Sequence, residues 1–80
     1  MIETIKNALY DSGIEYIPDD YDANLENYGV DSLIVVLAIL KLEKKLDIKI
    51  ATREFHTSFF QSINSIKKHL EKLLEEKMAS

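Results

Sequence analysis

Tyr28-Gly29-Val30-Asp31-Ser32-Leu33 stands directly ahead of Ile34-Val35-Val36-Leu37-Ala38-Ile39-Leu40, an uninterrupted apolar run. This junction decides the fold. Asp31 is a strong N-cap, because its side-chain oxygen can accept an orphan N–H of a first helical turn. Ser32 is then the first residue of a helix that runs to about Leu46. A serine at a helix start usually caps it, but Asp31 already does so and leaves Ser32 free for another role. The first turn has unpaired amides and a partial positive charge, so it tolerates a phosphate group attached there. Gly29 lets the backbone approach a modifying enzyme closely. Asp31 is placed to help bind that enzyme's metal.

Working outward, Ile2, Ile5 and Leu9 recur at helical spacing and predict a first helix from Ile2 to about Ser12. Gly13 can take the left-handed conformation that stops it. Residues 14–30 hold Pro18, a cluster of Asp and Asn, and no helical period, so they read as one long loop. Ile14, Ile17, Leu25 and Tyr28 are its expected anchors to the core. Loops of this length are uncommon in small domains and are often functional. After the second helix, Asp47 to Ala51 is a linker carrying Ile48 and Ile50. Thr52 caps a short third helix over Arg53 to Thr57. Ser62 caps a last helix with apolar positions Ile63, Ile66, Leu70 and Leu73, and the tail after Lys77 is expected to fray. The class is all-α: a four-helix bundle with a short third helix and a long loop between helices 1 and 2.

Eighty residues make a single domain, 1–80, which buries only roughly 60% of its unfolded surface. The net charge of -4 disfavours nucleic acid, which needs clustered Lys and Arg. The charge is uneven: residues 1–31 carry eight acids against Lys6, whereas residues 32–80 carry six acids and nine bases. Such a chain has two electrostatic faces. Glu3 and Lys6 interrupt any signal-peptide pattern, and no apolar run approaches the ~20 residues that span a bilayer. Both point to a cytoplasmic protein. No cysteine is present, so any thiol this protein uses comes from a prosthetic group.

The second helix has more apolar surface than one core can cover. Val36, Ile39, Leu46 and the stem of Glu43 lie on one side, and Leu33, Leu37, Leu40 and Lys44 follow the same spacing on another. The second strip is covered by the loop or is left exposed beside Ser32 as a partner surface. In the exposed case Leu33, Ile34, Leu37, Leu40, Lys41 and Lys44 form that surface.

Other constellations carry less. His56 and His69 are thirteen residues apart and lack zinc-ligand spacing, and His69 reads as solvated among lysines. Asp19, Asp20, Asp22 and Asn24 lack the glycine and terminal glutamate of a calcium loop, so no resident metal is expected. Asp31-Ser32 is not a catalytic pair, since no histidine lies near in sequence. Phe55, Phe59 and Phe60 read as core closure.

From Leu25 to Ile50 the chain resembles the acyl carrier and peptidyl carrier superfamily. The resemblance rests on Leu25, Tyr28-Gly29, Val30 and Asp31-Ser32-Leu33. It continues through Leu42-Glu43-Lys44-Lys45-Leu46-Asp47-Ile48-Lys49-Ile50 and Phe59-Phe60-Gln61-Ser62-Ile63-Asn64-Ser65-Ile66. It implies a monomeric, non-catalytic carrier whose cofactor, 4′-phosphopantetheine, is attached to Ser32, with Gly29, Asp31 and Leu33 around the attachment point. A phosphopantetheinyl transferase is the implied obligatory partner. An acyl or aminoacyl ligase and downstream synthase or transferase enzymes follow it. Fatty acid synthase carriers usually bear acids along helix 2, and here those positions are apolar or lysine. The chain is therefore similar to a free-standing carrier divergent from that type, with spacing around Phe55 to Ile63 closer to carriers of amino acids. The reading from another class is a non-catalytic helical interaction module that binds a partner helix through the apolar strip.

Overall fold

The computed structural model describes residues 1–51 and 58–79. Among them the order is α1 (Ile2–Asp11), a 3-10 turn (Leu25–Tyr28), α2 (Ser32–Leu46) and α3 (Ile63–Ala79), with no strand. The expected short helix over Arg53 to Thr57, its cap Thr52, and Phe55 and His56 lie outside the described residues.

Each helix buries one stripe. α1 turns Ile5, Ala8 and Leu9 inward, and α3 turns Ile63, Ile66 and Leu70 inward. α1 packs against both α2 and α3. Phe59 and Phe60 are fully buried beneath them, with ring centroids 5.2 Å apart. Burying each large aliphatic side chain stabilises the fold by roughly 1.5–3 kcal/mol before ordering costs are subtracted.

The helix ends follow from local chemistry. α1 stops at Gly13, where φ is +114°. The amides of Gly13 and Ile14 donate back to the carbonyls of Tyr10 and Leu9, both at 3.1 Å, which satisfies the last turn. Ile14 then continues into the core. α2 ends at Asp47, a non-glycine residue with φ of +53°, a region that Asp tolerates better than most residues. Lys77 from α3 donates to the Asp47 carbonyl and also lies 3.6 Å from its carboxylate. In the linker Ile48 and Ile50 are buried, as expected, and the Ile50 amide donates to Glu43 Oε2 at 2.7 Å. At the start of α3, Ser62 Oγ accepts the Ser65 amide at 3.0 Å, as its capping role requires.

Several expectations are corrected. The loop of residues 14–30 is not structureless, because Leu25–Tyr28 form a 3-10 turn capped by Asn24, whose Oδ1 accepts the Glu26 amide at 3.0 Å. Four residues are too short for a hydrophobic period to reveal. His69 is not simply solvated: its ring packs 4.7 Å from that of Phe59, and Nδ1 lies 2.8 Å from the Ser65 carbonyl oxygen. The acids of the loop are used internally. Asp20 accepts the Asp22 amide, and Asp22 accepts Asn64 Nδ2 at 2.8 Å, tying the loop to α3. Backbone bonds reinforce the tie, from Leu25 to the Gln61 carbonyl at 2.8 Å and from Asn64 to the Tyr21 carbonyl at 3.0 Å.

Lys6 places its ammonium 5.1 Å from the Tyr21 ring centroid. The hydrogen-bonding Tyr21 hydroxyl raises the lysine pKa above its ordinary value. A raised lysine pKa contributes stability that is fully present below the unfolded value near ~10.4 and is lost only as pH rises through the folded value. Between pH 6 and 9 this pair therefore adds no pH dependence to stability.

Candidate functional site

The site is assembled by the loop ending in the 3-10 turn. Leu25 is buried and anchors the turn from below. Gly29 caps the turn with φ of +95°, and Val30 follows, buried, with its amide donated to the Leu25 carbonyl at 3.2 Å. The reason for a glycine here is its backbone. A Cβ at position 29 would meet only Ile14 Cδ1 at 3.8 Å, an ordinary contact, so space is not the constraint. Close approach of an enzyme is therefore not needed to explain Gly29. Gly29→Ala is expected to destabilise the domain by about 1–2 kcal/mol, the cost of a left-handed non-glycine residue, measured as a lower urea midpoint.

Beyond Val30 the chain reaches Asp31, in extended conformation, and then Ser32, the first residue of α2. Asp31 Oδ1 accepts the Ile34 amide at 3.0 Å, and the Asp31 carbonyl accepts the Val35 amide at 2.9 Å. The cap is thus supplied by Asp31 alone, and the Ser32 hydroxyl makes no hydrogen bond among the described residues. Ser32 is exposed, as are Asp31, Gly29 and Leu33. Three of the other serines contrast with it. Ser12 is buried and donates to the Ala8 carbonyl at 2.7 Å, Ser62 caps α3, and Ser65 donates to the Phe59 carbonyl at 3.3 Å.

A model of the phosphopantetheine attachment site matches residues 5–70. The chain belongs to the phosphopantetheine attachment family. Members are non-catalytic carriers that hold 4′-phosphopantetheine covalently on a serine, so this chain is a carrier and not an enzyme. The same finding favours the carrier over the plain interaction module. No curated protein and no solved structure matched the chain.

The residues present fit the prosthetic group. An exposed hydroxyl with no internal partner, at the N-terminus of a 15-residue helix, can be esterified without breaking a bond of the fold. The phosphodiester so formed would sit where helix amides and the dipole favour negative charge.

The residues expected to form a partner surface on α2 differ in exposure. The buried stripe is Val35, Ala38, Ile39 and Leu42. The stripe expected from Val36, Ile39 and Leu46 was thus rotated by about one residue: Val36 is 37% exposed, and Leu46 is half-buried against the core. In a run where every position from 33 to 40 is apolar, periodicity cannot fix the inward direction. On the outer side Leu33 is 65% exposed and Leu40 is 52% exposed. Leu37 and Lys41 are half-buried and Lys44 is exposed. Ile34 is half-buried: it packs against the core, with its Cδ1 beside the turn at Gly13.

Two features near the site escaped the sequence reading. Tyr16 and Tyr28 pack with ring centroids 5.7 Å apart, bracing the turn before Gly29. Lys45 lies 3.7 Å from the Asp11 carboxylate at the end of α1. Both pairs join residues too far apart in sequence for spacing to signal them.

Proposed function

We propose that Ser32 is the attachment point for 4′-phosphopantetheine and that residues 1–80 form one carrier domain. The fold in this reading is a four-helix bundle of acyl-carrier type. The observation that carries this reading is the division of labour at the start of α2: Asp31 engages the Ile34 amide while Ser32 is exposed with no hydrogen bond of its own. The arm supplies a terminal thiol on which an acyl or aminoacyl group is held as a thioester. The chain's own contribution is positional. Gly29 and Val30 fix the entry of the loop, Asp31 holds the first turn, and Ser32 presents its oxygen to the transferase. The carrier is monomeric and cytoplasmic and works in a specialised biosynthetic pathway. A phosphopantetheinyl transferase loads the arm, an acyl or aminoacyl ligase charges it, and downstream synthase or transferase enzymes take the cargo. These enzymes dock on the exposed side of α2, at Leu33, Val36, Leu37, Leu40, Lys41 and Lys44. No helix among the described residues is long and apolar enough to cross a membrane.

The test is intact mass after incubation with coenzyme A and a broad-specificity phosphopantetheinyl transferase. One arm per chain is expected. An unchanged mass under conditions that load a control carrier overturns the proposal.

Asp31 has two separable roles in this scheme. Asp31→Ala removes the cap and is expected to cost about 1 kcal/mol of stability. Asp31→Asn keeps a capping oxygen and close to full stability, but it removes the carboxylate charge offered to the transferase's metal. Loading of Asp31→Asn is expected to slow by at least ~10-fold at unchanged thermal midpoint, a barrier increase of about 1.4 kcal/mol. Normal loading of the Asn variant would restrict Asp31 to capping.

A further inference from the structure

The exposed side of α2 has an electrical character as well as an apolar one. Lys41, Lys44 and Lys45 lie in its last two turns, and its one acid, Glu43, is occupied by the Ile50 amide at 2.7 Å. Asp11, at the end of α1, lines one shallow groove with all three lysines and pairs with Lys45 at 3.7 Å. Three ammonium groups thus face one carboxylate. Lys41 and Lys44 have no ion pair among the described residues. The apolar strip of Leu33, Val36 and Leu40 leads directly into this basic end.

The size of the strip argues against a second copy of this chain as its occupant. A few aliphatic side chains over two helical turns bury far less than the roughly 1,200 Å² at the lower end of specific stable interfaces. A parallel pair would also set lysines against lysines. Such a strip suits a short-lived encounter with a different protein, and the unpaired charge specifies that protein's rim.

We propose that α2 docks into an apolar groove with an acidic rim on the partner enzyme. Leu33, Val36 and Leu40 enter the groove, and partner carboxylates meet Lys41 and Lys44 over the basic end. This deepens the docking role assigned to α2 above and rests on it.

Two synthetic helical peptides test it. Both carry one leucine stripe, flanked by glutamates in the first and by lysines in the second. Each is titrated into the isotope-labelled, unloaded protein and followed by amide chemical shifts. The glutamate peptide is expected to shift residues 33–44 and to bind at least ~10-fold more tightly than the lysine peptide. Lys41→Glu with Lys44→Glu is expected to reverse that preference. Leu40→Glu, at an exposed position, is expected to keep native circular dichroism and lose binding of both peptides. In ~1 M salt, with a screening length of about 3 Å, the preference between peptides shrinks while residual apolar binding persists. Equal or stronger binding of the lysine peptide overturns the proposal, and so does no binding of either. Shifts that depend on protein concentration without peptide also overturn it, by making a second copy the occupant. The titration involves no loading of Ser32, so its failure leaves the carrier reading intact. A chain that refuses the arm likewise leaves the titration interpretable.

Discussion

Ser32→Ala is expected to abolish phosphopantetheine loading completely while leaving the helical circular dichroism and the urea midpoint nearly unchanged. The expectation has two parts. Esterification needs an oxygen at position 32, and three other serines among the described residues are engaged: Ser12 is buried against the Ala8 carbonyl, and Ser62 and Ser65 make hydrogen bonds at the start of α3. The stability part follows from the same geometry. The Ser32 hydroxyl supports no hydrogen bond among the described residues, alanine is a better helix former than serine, and the cap belongs to Asp31. A capping serine would behave differently, since its replacement typically costs ~1 kcal/mol. Intact mass and urea titration on one preparation decide both parts. Residual mass gain in Ser32→Ala would move the attachment point elsewhere, and a clear loss of stability would make Ser32 a structural residue.

Phe60→Ala is expected to show the largest stability loss in the molecule, about 3–5 kcal/mol. Phe60 is fully buried and packs on Phe59, which in turn contacts His69, so its removal opens a cavity that several side chains line. A folded chain of 80 residues has a total stability of only about 4–12 kcal/mol at typical values per residue. The variant is therefore expected to lose its cooperative urea transition or to unfold at a much lower midpoint. Phe60→Leu, which keeps most of the volume, should recover a large part of the loss. A Phe60→Ala midpoint within 0.5 M of the parent would show that the site collapses onto its neighbours.

The legibility of this chain follows the range of its signals. The Asp31 cap, the span Ser32–Leu46, the Ser62 cap and the stop at Gly13 were readable because each depends on residues within one turn. The inward direction of α2 was not, because an all-apolar stretch has no polar side to mark the outside. The 3-10 turn at Leu25–Tyr28 was hidden by its length, and its dependence on Gln61 and on the Tyr16 ring is invisible to any local window. At the site, the exposed serine and its aspartate were legible from type and spacing. The role of Gly29 was assigned to enzyme access, when its positive φ supplies a sufficient cause. The apolar excess of α2 was legible, but which of its residues pack on the core, Ile34 among them, depends on the placement of the turn at Gly13.

The ties from Leu25 to Gln61 and from Asn64 to Tyr21 bear on how the molecule comes into being. A nascent chain that has reached residue 46 holds the serine and both of its neighbours, yet it lacks Phe59, Phe60, Ile63, Ile66 and Leu70, against which the early helices close. The first half can pair α1 with α2, but their core stays open until those later residues are added. Closure of the core therefore waits for residues 59–70, with long-range contacts formed together and not element by element.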